Sequence, residues 1–267
     1  MATRDDGYLL ANATPGAAER LAAIATLFDP ATFEHLDRLG LTPGWRCWEV
    51  GAGGTSVMDH LAARVGRTGH VLATDIDVSW APGTVASHVE IREHDVASGP
   101  PPGGPFDLVH ARLVLVHVPG RDEALATMAA ALGPGGVLLV EDADPALQPL
   151  ACLEETGPAE ELANRVRRGF RALLAGRGAD LAYGRTLPRR LRAAGLVEVS
   201  AQGAFPVGHP ACAVLELATV TMLGDQLVAA GLVGEEEIER HLGAVRSGAL
   251  DLVQPPMISC WGRRPPA

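Results

Sequence analysis

Lysine is missing from this sequence of 267 residues, and all 22 of its basic residues are arginines. Without lysine the chain cannot form a Schiff base on a side-chain amine, build a Walker-type phosphate loop or supply the lysine of short-chain dehydrogenases. The 32 acidic residues outnumber the basic ones and give a formal net charge of −10 at pH 7. Proteins that bind phosphate backbones carry a basic surface, so this balance disfavours nucleic acid as a partner.

Cysteine is scarce and long apolar runs are absent. The four cysteines lie apart in the chain, without the spacing of metal ligands, at Cys47, Cys152, Cys212 and Cys260. We therefore expect reduced thiols, no metal site and a cytoplasmic protein. No uncharged apolar stretch reaches the roughly 18 residues of a membrane span, and the charged N-terminus is unlike a secretory signal peptide, so no membrane partner is expected.

Short apolar segments alternate with helical patterns in the first half of the chain. Strands are predicted at residues 45–50, 70–74, 89–92, 106–110 and 137–140, and helices at 55–65 and 121–132. Nearly continuous apolar strands that alternate with helices are typical of a parallel sheet covered on both faces. Glycine or acidic residues follow most of these strands, at the carboxyl ends where such sheets bind ligands.

Helical patterns flank this core on both sides. Asp29 and Pro30 predict a break between two N-terminal helices, since an acidic cap followed by proline is typical of a helix start. The arginine run at 165–171 is interpreted as a solvated helix face. We expect a single domain, 1–267, with four parts: an N-terminal helical lid (1–44), a ligand-binding core (45–149), a helical cap insertion (150–195) and a C-terminal part that completes the sheet (196–267).

A glycine-rich segment, EVGAGGTS at 49–56, joins the first strand of the core to its first helix. Glycine lets the backbone approach a ligand closely, and the helix start offers free N–H groups. A dinucleotide loop would need glycine where Ser56 stands. Glu49 would repel a pyrophosphate but attract a ligand with an ammonium and a sulfonium. Asp75 suits ribose hydroxyls in either case, and Asp95 suits an adenine amino group.

These motifs resemble those of class I S-adenosylmethionine-dependent methyltransferases, and in particular the bacterial enzymes that act on small molecules. The matching segments are EVGAGGTS (49–56), VLATDID (71–77), EHDV (93–96), FDLVHARLVLVHV (106–118) and LGPGGVLLVED (132–142). The resemblance implies an α/β, Rossmann-like, doubly wound sheet of seven mostly parallel strands with an antiparallel last strand. It also implies S-adenosylmethionine as the cofactor and S-adenosylhomocysteine as the product.

The resemblance further implies roles at the matched positions. Contacts to the methionine part of the cofactor are expected from Glu49, Gly51, Ala52, Gly53, Thr55, Ser56, Ala111 and Arg112. Contacts to its ribose and adenine are expected from Asp75, Ile76, Asp77, His94, Asp95 and Val96. Tyr8, ahead of the N-terminal helices, is expected to touch the cofactor from the lid. The alternatives are a helix cap for Asp77 and packing roles for His94 and Tyr8.

Methyl transfer from a sulfonium is an in-line displacement, so positioning and exclusion of water supply most of the catalysis. A base is needed only when the nucleophile arrives protonated. His117 is the first candidate, because it follows the fourth strand and histidine titrates near neutral pH. Asp142 and Asp144 end the fifth strand and are candidates for orienting a hydroxyl or amine, with helix capping as the alternative. His110, inside a strand, is interpreted as a core histidine.

The sequence therefore predicts an enzyme that methylates a small, partly apolar natural-product acceptor at oxygen, nitrogen or carbon. Two alternatives stay open: a protein of this fold that binds the cofactor but catalyses another reaction, such as cyclisation, and a non-catalytic cofactor-binding protein. A nicotinamide dehydrogenase is disfavoured by Ser56, Glu49 and the missing lysine. The acceptor is the expected partner, and homodimerisation is left open.

Overall fold

The computed structural model describes residues 9–10, 16–101 and 103–267. Its strands are β1 Arg46–Val50, β2 His70–Asp75, β3 Val89–Glu93, β4 Phe106–Arg112, β5 Leu132–Ala143, β6 Val197–Ala204 and β7 Met257–Arg263. Its α-helices are α1 Ala17–Arg38, α2 Ser56–Val65, α3 Arg121–Ala130, α4 Pro158–Gly176, α5 Leu187–Ala193, α6 Pro210–Ala229 and α7 Glu235–Arg246. A single turn of 3-10 helix at Gly184–Thr186 precedes α5.

The strands form one sheet in the order β3-β2-β1-β4-β5-β7-β6. The first five strands pair in parallel, and β7 is antiparallel to both of its neighbours. The predicted fold class is confirmed. The strand order reverses between β1 and β4, so the loops that follow these two strands open a crevice at the carboxyl edge of the sheet. Ligands of open α/β sheets bind in such a crevice.

The two faces of the sheet carry separate apolar cores. Alternate residues of a strand point to opposite faces. Trp48 and Val109 pack on one face with Met128 of α3. Cys47 and Leu108 pack on the other face, in one cluster with residues of α1 and α2. The helix α1 thus lies over the face to which Glu49 and His110 also belong, because they are two residues beyond Cys47 and Leu108.

The N-terminal region forms one helix where two were predicted. α1 runs through Pro30 without a break. Proline in a helix interior costs about 3 kcal/mol, but burying each large apolar side chain contributes about 1.5–3 kcal/mol. Ile24 and Phe28 before the proline and Leu36 after it are all buried, so packing on both sides holds the helix together. Asp29, predicted to start a second helix, pairs with Arg112 at 2.8 Å.

Among the described residues, one helix, α6, is long and apolar enough to cross a membrane by length and composition. Half of it is buried inside the protein, where it packs against α1, α4 and α7. A core helix passes the same test, and the burial of α6 accounts for its apolar sequence.

Candidate active site

The loop after β1 packs tightly against the loop after β4. Gly51 and Gly53 have φ angles of 64° and 60°, in the left-handed region that favours glycine. A Cβ atom on Gly51 would lie 2.4 Å from Cγ2 of Val114. The N–H of Ala52 donates to the carbonyl of Thr74 at 3.0 Å. Glycine is therefore required here both by the backbone conformation and by the lack of space.

Asp75 ends β2 at the floor of the same crevice. Asp75 is only 6% exposed. Oδ2 accepts the N–H of Gly53 at 2.8 Å, and Oδ1 accepts the N–H of Asp77 at 3.1 Å. Burial raises the pKa of Asp75, although these backbone hydrogen bonds oppose the shift. Ile76 beside it is 56% exposed, so a hydrogen-bond acceptor stands next to an uncovered apolar side chain.

The segment after β3 lies against Asp75 through its backbone. The N–H of His94 donates to the carbonyl of Asp75 at 2.8 Å. Oδ1 of Asp95 accepts the N–H of Ala97 at 2.9 Å, closing a local turn. Val96 is buried. The structure thus brings 93–96 and 75–77 together at one end of the crevice, as the two motifs predicted.

Two predicted cofactor contacts make bonds within the protein. Oδ1 of Asp77 accepts the N–H of Ser79 at 2.9 Å in a local turn, and the described segment between β2 and β3 contains no helix for Asp77 to cap. The ring of His94 stands edge-on to Trp48, with ring centroids 5.8 Å apart. Its Nε2 lies 3.1 Å from the carbonyl oxygen of Pro100. These contacts of His94 correspond to the packing role weighed above. Tyr8 lies outside the described residues.

Glu49, at the end of β1, belongs to a buried chain of polar side chains. Its Oε2 lies 2.6 Å from Nδ1 of His110, and Nε2 of His110 lies 3.2 Å from Oε2 of Glu141. Thr32 of α1 donates its hydroxyl to the same Glu141 oxygen at 2.5 Å, and Ser259 of β7 donates to Oε1 at 2.5 Å. The chain therefore runs from the glycine loop to the helix that covers the sheet.

The charges in this chain follow from its contacts. Burial alone would lower the pKa of His110, but the negative charges and hydrogen bonds of Glu49 and Glu141 outweigh it and raise the pKa to about 9. Burial likewise opposes ionisation of Glu141, yet the hydrogen bond and charge of His110 lower its pKa to about 2. At neutral pH an imidazolium thus stands between two carboxylates.

A second set of contacts ties α1 to the glycine loop. Arg112 pairs with Asp29 at 2.8 Å and donates to the hydroxyl of Thr32 at 3.0 Å. Ser56, at the start of α2, donates its hydroxyl to Asp29 at 2.5 Å. Arg112 and Ser56, both predicted to lie beside the methionine part of the cofactor, therefore also hold α1 over the crevice. Thr55 has no capping hydrogen bond from its side chain, and Ala111 is fully buried.

Asp142 and Asp144 are both fully buried, and their role in orienting an acceptor stays a prediction. Burial raises the pKa of Asp142 well above its ordinary range, although nearby N–H groups of the loop after β4 oppose the shift. Asp144 is bound by Arg185, whose Nε donates to it at 2.7 Å, and it accepts the N–H of Leu147 at 2.8 Å. Asp144 thus holds the backbone at Leu147 and the side chain of Arg185 together beside the sheet edge.

His117 lies half-buried in the loop between β4 and α3. Burial lowers its pKa to about 4, and the positive charges of Arg20 and Arg121 add to the effect. The ring is therefore neutral at pH 7. It can accept a proton, although with a pKa below the value near 7 that suits a general base best.

An apolar cluster lies where the loop after β4 meets α1. Ile24, Phe28 and Met257 are buried there, and Leu113 packs against them. Leu113 has a φ of 57°, a conformation that costs a residue other than glycine of order 1–3 kcal/mol and that is concentrated at functional sites. Its N–H donates to the carbonyl of Glu141 at 2.8 Å. The cluster therefore lies beside the loop after β4, and Leu113 is its partly exposed member in that loop.

Comparison with known proteins places this geometry in a family. The family model for a methyltransferase domain matches residues 17–201, more than half of the chain. The ubiquinone/menaquinone biosynthesis C-methyltransferase UbiE of Vibrio cholerae is 32% identical over 130 residues, 45% of this chain and 50% of that protein. UbiE of Laribacter hongkongensis is 33% identical over 113 residues, 39% of this chain and 46% of that protein. The chain thus spans about half the length of the curated relatives it matches.

Solved structures share the fold over a longer part of the chain. The YcgJ protein of Bacillus subtilis superposes with a TM-score of 0.54 at 14% identity, covering 89% of this chain and 99% of that one. The phosphoethanolamine N-methyltransferase 2 of Haemonchus contortus, in complex with S-adenosyl-L-methionine, gives 0.51 at 13% identity over 93% of this chain and 52% of that one. At these identities the likeness concerns the fold alone.

Proposed function

Because this chain belongs to the methyltransferase domain family, we propose that it transfers a methyl group from S-adenosylmethionine to a small, partly apolar acceptor of the natural-product type. The observation that carries the proposal is an arrangement of three neighbouring features. The buried carboxyl of Asp75 stands next to the exposed side chain of Ile76, and both lie beside a loop that has no room for a side chain at Gly51. A ligand with a diol, an aromatic base and a cationic tail fits these three features.

The residues present suit S-adenosylmethionine along its whole length. Asp75 would accept the ribose hydroxyls, and Ile76 would pack against the adenine ring. The backbone at Gly51 would meet the methionine part, and the negative charge of Glu49 would attract its ammonium. When bound, the group supplies an electrophilic methyl on a sulfonium. The protein then has to hold an acceptor atom in line with that methyl and keep water out.

The acceptor proposal rests on the apolar cluster of Ile24, Phe28, Leu113 and Met257, whose partly exposed member Leu113 lies in the loop after β4. A partly apolar molecule would bury its surface there, with its nucleophilic atom at the end of β4. The UbiE relatives are named as C-methyltransferases, but their similarity covers less than half of this chain, so oxygen, nitrogen and carbon acceptors all belong in the test.

We also propose a cytoplasmic protein without nucleic-acid or membrane partners, since its four cysteines are buried and unpaired and its net charge is −10.

An acceptor screen tests the proposal. The protein is incubated with S-adenosylmethionine carrying a labelled methyl and a panel of phenols, amines, enols and quinols. Transfer of label to one compound, with an equal amount of S-adenosylhomocysteine, is the expected result. Turnover of a compound without S-adenosylhomocysteine would favour the non-methylating alternative.

Asp75→Ala is expected to weaken binding of S-adenosylhomocysteine by about 1–3 kcal/mol, or about 5- to 150-fold, because buried ribose hydroxyls lose their acceptor. Titration calorimetry measures the change. Asp75→Asn, which keeps one oxygen for the N–H of Gly53, should lose less affinity. Unchanged affinity in both variants would remove Asp75 from the cofactor site.

His117→Ala is expected to lower turnover of a protonated acceptor by about 10²-fold, the lower end for a positioned base, while the affinity for S-adenosylhomocysteine stays the same. Since burial lowers the pKa of His117 to about 4, the wild-type rate should be flat around neutral pH and fall as the pH approaches 4. Full activity of the variant would end its candidacy as the base.

A further inference from the structure

We propose that His110 is a positioning residue for the methyl donor: it fixes the carboxylate of Glu49 at the end of β1 and connects it, through Glu141, to Thr32 of α1. The inference rests on the proposed function, because Glu49 matters in this way only if a cationic cofactor binds beside it. It gives a ligand-directed role to a histidine that the sequence placed in the core.

The register of the sheet sets this arrangement. Glu49 and His110 are partners across the β1–β4 pair, so their side chains leave the sheet side by side on the face covered by α1. Glu141 stands on the adjacent strand β5, opposite Arg112. The side chains of Glu49, His110 and Glu141 are 3%, 0% and 1% exposed. These side chains have almost no contact with water, so each is oriented mainly by the others.

The geometry requires both ring nitrogens of His110 to donate. Nδ1 faces a carboxylate oxygen of Glu49 at 2.6 Å, and Nε2 faces one of Glu141 at 3.2 Å. A neutral imidazole has one donor and one acceptor, and its acceptor nitrogen would point at a carboxylate. The charged ring satisfies both contacts, in agreement with the raised pKa of His110.

The charge balance then favours a cation at the crevice. One imidazolium between two carboxylates leaves one negative charge in excess, and the Arg112–Asp29 pair beside it is balanced on its own. His35 of α1 also faces this group, but burial lowers its pKa and keeps it neutral. Only Oε2 of Glu49 contacts His110, so Oε1 is not used by the histidine. The ammonium of the cofactor's methionine part would complete the balance there.

The same chain reaches the covering helix. Glu141 accepts the hydroxyl of Thr32, and Thr32 accepts a hydrogen bond from Arg112. The position of α1 is therefore coupled to the carboxylate that orients His110. The effects of His110 on Glu49 and on α1 can be separated experimentally. Nδ1 contacts Glu49, whereas Nε2 contacts Glu141, which is bonded to Thr32 of α1.

Two ligands separate positioning from a structural role. S-adenosylhomocysteine has the methionine part, whereas 5′-methylthioadenosine has the same adenosine without it. His110→Gln, which loses the donor at the Nδ1 position, is expected to weaken binding of S-adenosylhomocysteine at least tenfold and that of 5′-methylthioadenosine by less than about twofold. His110→Asn keeps a donor near the Nδ1 position and should recover most of the affinity.

A merely structural histidine would change the two affinities together, so equal losses for both ligands, or no loss for either, would overturn the proposal.

If His110→Gln does not fold, Thr32→Val provides the second test, since it keeps all three charged groups and removes one donor to Glu141. It should weaken S-adenosylhomocysteine binding about threefold and leave 5′-methylthioadenosine unchanged; an equal effect on both would contradict the link to α1. Wild-type protein that binds neither ligand would refute the proposed function itself, which is a distinguishable result.

Discussion

Gly51→Ala is expected to lower the free energy of unfolding by roughly 2–6 kcal/mol and to abolish measurable binding of S-adenosylhomocysteine. The positive φ of 64° costs alanine about 1–3 kcal/mol. The new Cβ would stand 2.4 Å from Val114, and relieving such overpacking costs about another 1–3 kcal/mol. The loop has to move to accommodate it, and the loop is the part of the site proposed to approach the cofactor most closely.

Two variants isolate these causes. Gly54 lies in the same loop with open space around its Cβ position and without a positive φ, so Gly54→Ala should leave the stability nearly unchanged. Adding Val114→Ala to Gly51→Ala should recover the part of the loss caused by the clash, but not the backbone strain. Urea denaturation and calorimetry measure both effects. Equal stability of the Gly51 and Gly54 variants would contradict the geometry of the loop.

Arg167→Met is expected to destabilise the helical part of the protein by about 3–5 kcal/mol, because it leaves a carboxylate buried without its partner. Nη2 of Arg167 lies 2.7 Å from Glu216, and Glu216 also contacts Nε2 of His241 at 3.0 Å. All three residues are less than 5% exposed. Affinity for S-adenosylhomocysteine should stay unchanged in the folded variant, since these groups lie outside the crevice.

Arg165 provides the matched control on the same helix. It pairs with Glu237 at 2.5 Å, but about half of its side chain is exposed, and such surface pairs contribute about 0–1 kcal/mol. Arg165→Met should therefore change the unfolding free energy by less than about 1 kcal/mol. If Arg167→Met changed the unfolding free energy as little as Arg165→Met does, the buried pair would not be holding the helices together.

The pH dependence of stability follows from the same pair. Burial opposes ionisation of Glu216, but the charge of Arg167 and the hydrogen bond with His241 lower its pKa to about 2. A carboxyl whose pKa is lowered on folding adds stability above its unfolded value, about 4.3, and loses it as the pH falls toward 2. The free energy of unfolding of the wild-type protein should therefore decrease as the pH falls through this range. The decrease should be smaller in Arg167→Met.

The core of the fold could be predicted because its signals are local. Apolar runs, glycine turns and acidic strand ends placed the first five strands within a few residues. β5 starts at Leu132 rather than at Val137, since Leu132 pairs with Phe106 across an irregularity in the register. The segment 132–136 contains three glycines and a proline and gives no strand pattern of its own, so only its partner strand reveals it.

The contacts of the site depend on pairings that no local pattern records. His110 and Glu49 are 61 positions apart, and Glu141 and Thr32 are 109 apart. Strand periodicity predicts which face each side chain takes, but not which carboxylate meets which ring nitrogen. The interpretation of 165–171 as a solvated face was wrong for Arg167, which is 3% exposed, because its partner stands on another helix.

Titration calorimetry with S-adenosylhomocysteine, alongside a nicotinamide dinucleotide, tests the central claim most directly. The geometry of Asp75, Ile76 and the glycine loop predicts micromolar binding of S-adenosylhomocysteine and no binding of the dinucleotide. Binding of the dinucleotide, or binding of neither ligand to the folded protein, would contradict the assignment of this crevice as a site for a methyl donor.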